Sequence, residues 1–198
     1  MHKAAFIFTV SLCLFGFWGC VNLKPVPSQS ESFTLGPVGM TLDVPNLKSG
    51  EVIYIMRPQV PTYLDDKRLS YRSASGEVES MTGSRWAEPL AEGIARAMSM
   101  YFSGSDIGTI IGYYPWPNTS TEASRLSLYF QSFGATDLGD VHVVVRWSLK
   151  RTNENTVSGQ FVSESLEWTV GEPETLIGAY NEALQQLALD IEKALRSE

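Results

Sequence analysis

Cys20 is the residue of this chain whose setting most clearly predicts chemistry. It follows Gly19 and an almost wholly apolar run from Ala4 to Phe17, which is itself preceded by the short polar start His2-Lys3. Such a run has the size of a signal-peptide h-region and is shorter than the ~20 residues needed to span a bilayer. A small residue directly before cysteine suits a peptidase that cleaves in front of a thiol already carrying a diacylglyceryl group. Residues 1–19 are therefore expected to be a lipoprotein-type signal peptide and Cys20 the acylated N-terminus. Phe17 and Trp18 stand where branched aliphatic and small residues are usual, and the alternative is an uncleaved signal anchor. Cysteine usage agrees with lipidation: Cys13 lies inside the apolar run, so cleavage leaves one cysteine and no intrachain disulfide. Multi-chain acylation anchors a protein stably. Val21, rather than an Asp that would argue for inner-membrane retention, predicts a lipid-anchored protein on the periplasmic face of the outer membrane.

Other reactive constellations are missing from the sequence. His2 leaves with the leader, and His142 alternates with apolar neighbours at the start of a strand pattern, as a surface strand histidine would. One histidine and no free cysteine give no Cys–His pair and no His/Cys metal site. There is no Gly-x-Ser-x-Gly elbow and no phosphate-cradling glycine loop. Nothing marks the acidic pair Asp65-Asp66 as catalytic rather than solvated. No catalytic residue, metal or cofactor is expected. The net charge of −7 argues against a nucleic-acid partner. Five tryptophans and eight tyrosines stand out instead. In Tyr113-Tyr114-Pro115-Trp116-Pro117, proline and aromatic rings together offer a rigid contact surface, unless Trp116 packs over the core edge. Trp86 is expected to bury against a sheet, while Arg85 pairs an acid or stacks on a ring.

Hydrophobic residues at 43% and charged residues at 19% describe one globular domain. Val21 to Ser32, with Pro25 and Pro27, completes a lipidated tether at 20–32 whose mean reach is ~20 Å, leaving 33–198 as the folded domain. Phe33 to Leu35 reads as a first strand ended by Gly36-Pro37, and Glu51 to Met56 as a second, stopped by Pro58. Arg68 to Arg72 reads as a third. Ser84 lies at or near a helix N-cap, and Trp86 to Phe102 carries an apolar stripe with Pro89 in or near the first turn. Ile107 to Tyr113 is a β-branched run. Leu126, Leu128 and Phe130 alternate, as do Val141 to Leu149, with Gly139-Asp140 as the turn between them. Asn153 to Gly159 leads into Phe161 to Val170, which completes an antiparallel meander. Glu174 to Leu195 is an amphipathic helix. The expected fold is α/β or α+β, with a mixed sheet, an antiparallel meander and two long helices.

Several strings in this order resemble the ABC-type transport auxiliary lipoprotein family, the PqiC/YmbA-like, MCE-associated group. They are Phe33-Thr34-Leu35 after a lipobox and tether, Met56-Arg57-Pro58 through Val60-Pro61-Thr62-Tyr63-Leu64-Asp65, and Arg85-Trp86-Ala87-Glu88-Pro89-Leu90. Tyr114-Pro115-Trp116-Pro117 and Val145-Arg146-Trp147-Ser148-Leu149 follow in register, so the likeness covers about residues 33 to 196. No pattern matches from Ser103 to Gly112. The resemblance implies a fold akin to the N-terminal domain of TolB. It also implies an outer-membrane lipoprotein working with an MCE-domain protein and an inner-membrane permease to move lipid or other hydrophobic cargo. Some members assemble into rings, so a homo-oligomer is expected. Arg57, Tyr63, Arg85, Trp86, Pro89 and Trp116 become the candidates for shared structure or partner contact. Two other readings stay open: a lipoprotein that activates a cell-wall enzyme by binding it, and a stand-alone lipid-binding lipoprotein.

Overall fold

The computed structural model describes residues 30–39, 52–103, 110–113, 123–152 and 155–197. In chain order these form β1 (Glu31–Phe33), β2 (Val52–Ile55), a 3-10 turn (Thr62–Leu64), β3 (Arg68–Arg72) and β4 (Val78–Trp86). Helix α1 (Leu90–Phe102), β5 (Ile110–Tyr113), β6 (Ser124–Ala135), β7 (Asp140–Lys150), β8 (Thr156–Val162), β9 (Leu166–Glu167) and helix α2 (Pro173–Arg196) follow. A six-stranded mixed sheet runs β5-β2-β6-β7-β8, with β9 added to β7; a smaller sheet runs β1-β4-β3. Strand β2 is parallel to both β5 and β6, whereas β6, β7 and β8 form the antiparallel meander. The class is α+β with mixed sheets.

Alternation explains the large sheet. The odd positions of β7, from Val141 to Leu149, are all buried, so one face of this strand points into the core along its whole length. Its partner β6 buries the even positions Leu126, Leu128 and Phe130, then the odd positions Phe133 and Ala135. A strand has a period of two, so this switch of parity needs one extra residue. The register supplies it between Phe130 and Ser132, where Gln131 has no partner opposite. Gly159 of β8 lies opposite Trp147, and a Cβ there would sit 2.7 Å from the indole, so the ring lies flat over the glycine.

Both helices cover the buried face of this sheet. Helix α1 buries residues on nearly every side, from Leu90 to Phe102, because it is wedged between α2 and strands β2 and β5. Helix α2 buries the stripe Leu176, Ile177, Tyr180, Leu184, Leu187 and Ile191 and leaves Glu182 and Gln185 in solvent. Full burial of each such side chain contributes ~1.5–3 kcal/mol. An aromatic series crosses the core. Trp86 faces Tyr180 at 6.2 Å, Tyr180 stacks on Phe133 at 4.2 Å, and Phe133 meets Phe130 edge-on at 5.5 Å.

Several boundaries differ from the sequence reading. Strand β1 begins at Glu31, inside the expected tether, because its hydrogen bonds come from β4 rather than from its own apolar content. Residues 78–86 are a strand and not the approach to a helix. They are mostly exposed and polar, and pairing with β1 on one side and β3 on the other holds them extended. The helix therefore starts at Leu90, consistent with the bias of a residue before proline, here Glu88, against helical dihedrals. Asp140 already belongs to β7. The turn is Thr136–Gly139, with Gly139 at φ 88° and the position of a Cβ only 2.9 Å from the Trp168 carbonyl oxygen. Strand β8 begins at Thr156, five residues before the expected start. Cys20, residues 20–29, the 104–109 part of the Ser103–Gly112 stretch, the 114–117 loop with Trp116, and Asn153 lie outside the described residues.

Candidate functional site

The described domain begins at β1, and five of the six candidate contact residues are described: Arg85, Trp86 and Pro89 beside that strand, Arg57 and Tyr63 in a loop next to it. Strand β1 lies parallel on the end of β4, with Ser32 opposite Arg85 and Phe33 opposite Trp86. The Ala87 N–H donates to the Phe33 carbonyl at 2.8 Å, and the Trp86 N–H donates to the Lys67 carbonyl at 2.7 Å. Strand alternation then sends neighbouring side chains opposite ways. Arg85 points to solvent and donates from Nε to Ser32 Oγ at 3.2 Å. Trp86, only 5% exposed, turns into the core against Tyr180. Arg85 stands directly opposite Arg68 on β3. The repulsion is eased because the Arg68 guanidinium bonds Asp66 at 2.8 Å, which holds the Asp66 carboxyl below its ordinary range.

The turn from β4 into α1 is locked by a buried-edge ion pair. Pro89 precedes the helix as its N-cap; its carbonyl takes the first i→i−4 bond from the Gly93 N–H and also accepts the Glu92 N–H, both at 3.0 Å, the latter an amide that a helix start leaves without an i→i−4 partner. Arg96, two turns further on, reaches back and donates from Nε (2.9 Å) and a terminal nitrogen (2.6 Å) to Glu88 Oε1. The same guanidinium donates to the Leu35 carbonyl at 2.8 Å. Gly36, at φ 104°, follows; its N–H donates to Asn181 Oδ1 of α2 at 2.7 Å, and a Cβ would crowd Met100 Sδ at 3.2 Å. The Asn181 carbonyl also accepts the Tyr101 hydroxyl at 3.1 Å, and burial pushes that phenol up to about 12. The chain leaving β1 is thus clamped to both helices.

Arg57 and Tyr63 belong to a neighbouring loop. Arg57 donates to both carboxylate oxygens of Asp65, each at 3.2 Å, closing the loop around the 3-10 turn that presents Tyr63, 43% exposed. The two groups meet at Lys67, whose carbonyl takes the Trp86 N–H, and at Arg68, which lies opposite Arg85. Tyr63 and Leu64 line a shallow depression of about 170 Å³ with Tyr71 and Ala135. Small-molecule pockets are typically ~300–1,000 Å³, so this depression is too small for a lipid. Among the described residues no three His, Cys, Asp or Glu side chains converge as a metal site, and no helix is long and apolar enough to cross a membrane.

Sequence reasoning singled out Arg85, Trp86 and Pro89 but missed Arg96 and Asn181, which hold the segment after β1. Arg96 lies on a helix whose neighbours are buried, and a charged residue among Ile94, Ala95 and Ala97 was the available signal. Asn181 carries no comparable mark.

A family model described as ABC-type transport auxiliary lipoprotein component matches residues 33–192. Among solved structures, the chain is similar to a crystal structure of an uncharacterized protein, with TM-score 0.64 and 14% identity over 83% of this chain and 97% of that one. It is also similar to a crystal structure of a Xanthomonas campestris protein, with TM-score 0.57 and 15% identity over 84% and 92% of the two chains. At these identities the likeness concerns the fold. No curated protein matches the chain.

Proposed function

Because the chain belongs to the ABC-type transport auxiliary lipoprotein component family, we propose that it is an outer-membrane lipoprotein serving as accessory subunit of an MCE-type envelope transport system for lipid or other hydrophobic cargo. The family is one of transport auxiliary components and not an enzyme family. The observation that carries the reading is the family match over residues 33–192, which begins at Phe33, the last residue of β1, opposite Trp86. A domain whose first strand is clamped to both helices is suited to being held at a membrane and meeting partners there. Cys20 is then the acylated anchor, residues 20–30 the tether and 31–198 the domain. Residues 1–19 are the removed leader. An MCE-domain protein and an inner-membrane permease are the partners; Arg57, Tyr63 and Arg85 supply the exposed candidates for contact, and Trp116 is a further candidate. The small depression beside Tyr63 gives little support to a stand-alone lipid binder.

Genetic epistasis tests this role. Strains lacking this protein, and strains lacking the MCE-domain partner, should share one envelope-permeability defect that the double loss does not deepen. Additive defects would place the protein in a separate process.

A further inference from the structure

One face of the small sheet carries cations in a chain whose net charge is −7. Arg85 of β4 stands directly opposite Arg68 of β3, and Ser32 of β1 stands opposite Arg85 on its other side. Residues opposite one another across strands share a face, with Cβ atoms ~4.5–5.5 Å apart in an antiparallel pair, and like charges so placed destabilise the sheet. The chain's own groups relieve this only in part. Asp66 takes the Nε–H of Arg68, at 2.8 Å, and Ser32 Oγ takes the Nε–H of Arg85, at 3.2 Å. The two terminal nitrogens of each guanidinium have no partner among the described residues, nor has the ammonium of Lys67 next to Arg68. All three side chains are exposed. Glu31, the acid of β1, stands opposite Ser84 and so lies on the reverse face.

We propose that Arg85 and Arg68 hold the phosphate of an anionic phospholipid headgroup, in the bilayer that carries the chain's own acyl anchor. A guanidinium presents its donors as a planar fork that matches phosphate oxygens two at a time. Two forks facing one another across β3 and β4 meet a single phosphate from both sides, and its charge removes the repulsion between them. The Ser32 hydroxyl, which accepts from Arg85, keeps its own proton to donate to the same group. The occupant follows from the length of chain that separates this face from the anchor. Ser32 is twelve residues from Cys20, so even a fully extended chain keeps it within about 40 Å of the acyl group. Headgroups are thus the anions that this face meets at the highest effective concentration. Each cation near an anionic surface strengthens the contact roughly fivefold. Arg85 then faces lipid, which leaves Arg57 and Tyr63 in the neighbouring loop for a protein partner. The proposal rests on Cys20 being the anchor, and on no other part of the transport role.

The test uses the full-length lipoprotein, in detergent and in nanodiscs of phosphatidylcholine alone or mixed with phosphatidylglycerol. Phenylglyoxal modifies exposed arginines, and mass spectrometry reads the rate at each; Arg146, exposed on the large sheet, is the internal reference. Phosphatidylglycerol is expected to slow the modification of Arg85 and Arg68 roughly fivefold or more relative to Arg146, and added salt to restore the rate. Arg85→Gln should lose most of the protection of Arg68 in the same discs. Its melt in detergent should be no lower than the parent's, because the change removes a repulsion. A lower melt would assign Arg85 to structure and overturn the proposal. Equal rates in both kinds of disc overturn it too. So does protection in detergent by inorganic phosphate at matched concentration, which would make this a site for free anions. The intact mass of the same sample reports acylation of Cys20. An acylated protein whose arginines stay unprotected sinks the headgroup contact and leaves the transport role standing, whereas an unacylated mass overturns the anchor and this contact together.

Discussion

The Trp86 indole, the last side chain of β4, sits 6.2 Å from the Tyr180 ring of α2, the two planes tilted by 42°. Tyr180 in turn stacks on Phe133 of the large sheet. Through these contacts the small sheet is fastened to the core. Replacing a buried tryptophan by alanine typically costs ~3–5 kcal/mol. Trp86→Ala should therefore lower the melting temperature sharply, and Trp86→Phe should lower it less. A Trp86→Ala melt that overlays the parent would show that this ring does not fasten the sheet.

Arg96 makes three charge-assisted bonds, two to Glu88 and one to the Leu35 carbonyl. Both ion-pair side chains are under a third exposed, at 23% and 31%, so solvent screening is limited. Arg96→Met keeps the aliphatic stem and removes the donors, and should cost ~1.5–3 kcal/mol. Limited proteolysis should then cut near residues 33–39 before it cuts elsewhere. Unchanged stability together with unchanged proteolysis would contradict the clamp.

Two glycines should respond to alanine with opposite sign. At Gly159 the added methyl meets the Trp147 ring at 2.7 Å, and overpacking of this kind costs ~1–3 kcal/mol. Gly178 lies exposed in α2 with nothing within 4 Å of the added Cβ, so Gly178→Ala should stabilise by ~0.5–1 kcal/mol. Chemical denaturation of the two variants checks both signs at once.

Burial raises the Tyr101 phenol from 10.0 to about 12. A raised pKa means that the fold favours the neutral hydroxyl, so its contribution is complete below pH 10 and is lost as the pH rises towards 12. The stability of Tyr101→Phe should accordingly fall less steeply than that of the parent across this window. Parallel alkaline profiles would contradict the assignment.

The elements with strict periods were legible in the sequence: the alternation of Val141 to Leu149 and the stripe from Leu176 to Ile191 both report one buried face. Even the bulge is written there, in the change from Leu126, Leu128 and Phe130 to Phe133 and Ala135. Strand β4 was not, because Val78–Trp86 is held by pairing on both edges while its side chains remain largely in solvent. The same cause hid the start of α1, which Pro89 could have marked. The clamp formed by Glu88, Arg96, Leu35, Gly36 and Asn181 includes a bond between residues 145 positions apart, Gly36 and Asn181, and no local pattern encodes such a meeting. Arg85 and Trp86 were visible as a pair, but their opposite fates follow from strand alternation, whereas the segment had been read as helix.

Recovery of partners from native membranes tests the proposed role most directly. Full-length protein carrying a C-terminal tag, and its Cys20→Ala variant, would be purified from the envelope, with acyl labelling and membrane fractionation followed in parallel. The account predicts that the native protein is acylated, fractionates with the outer membrane and brings the MCE-domain protein and its permease with it. Cys20→Ala should lose the label, leave the membrane and recover less of both partners. Native protein that is recovered from the membrane without either partner would contradict the account.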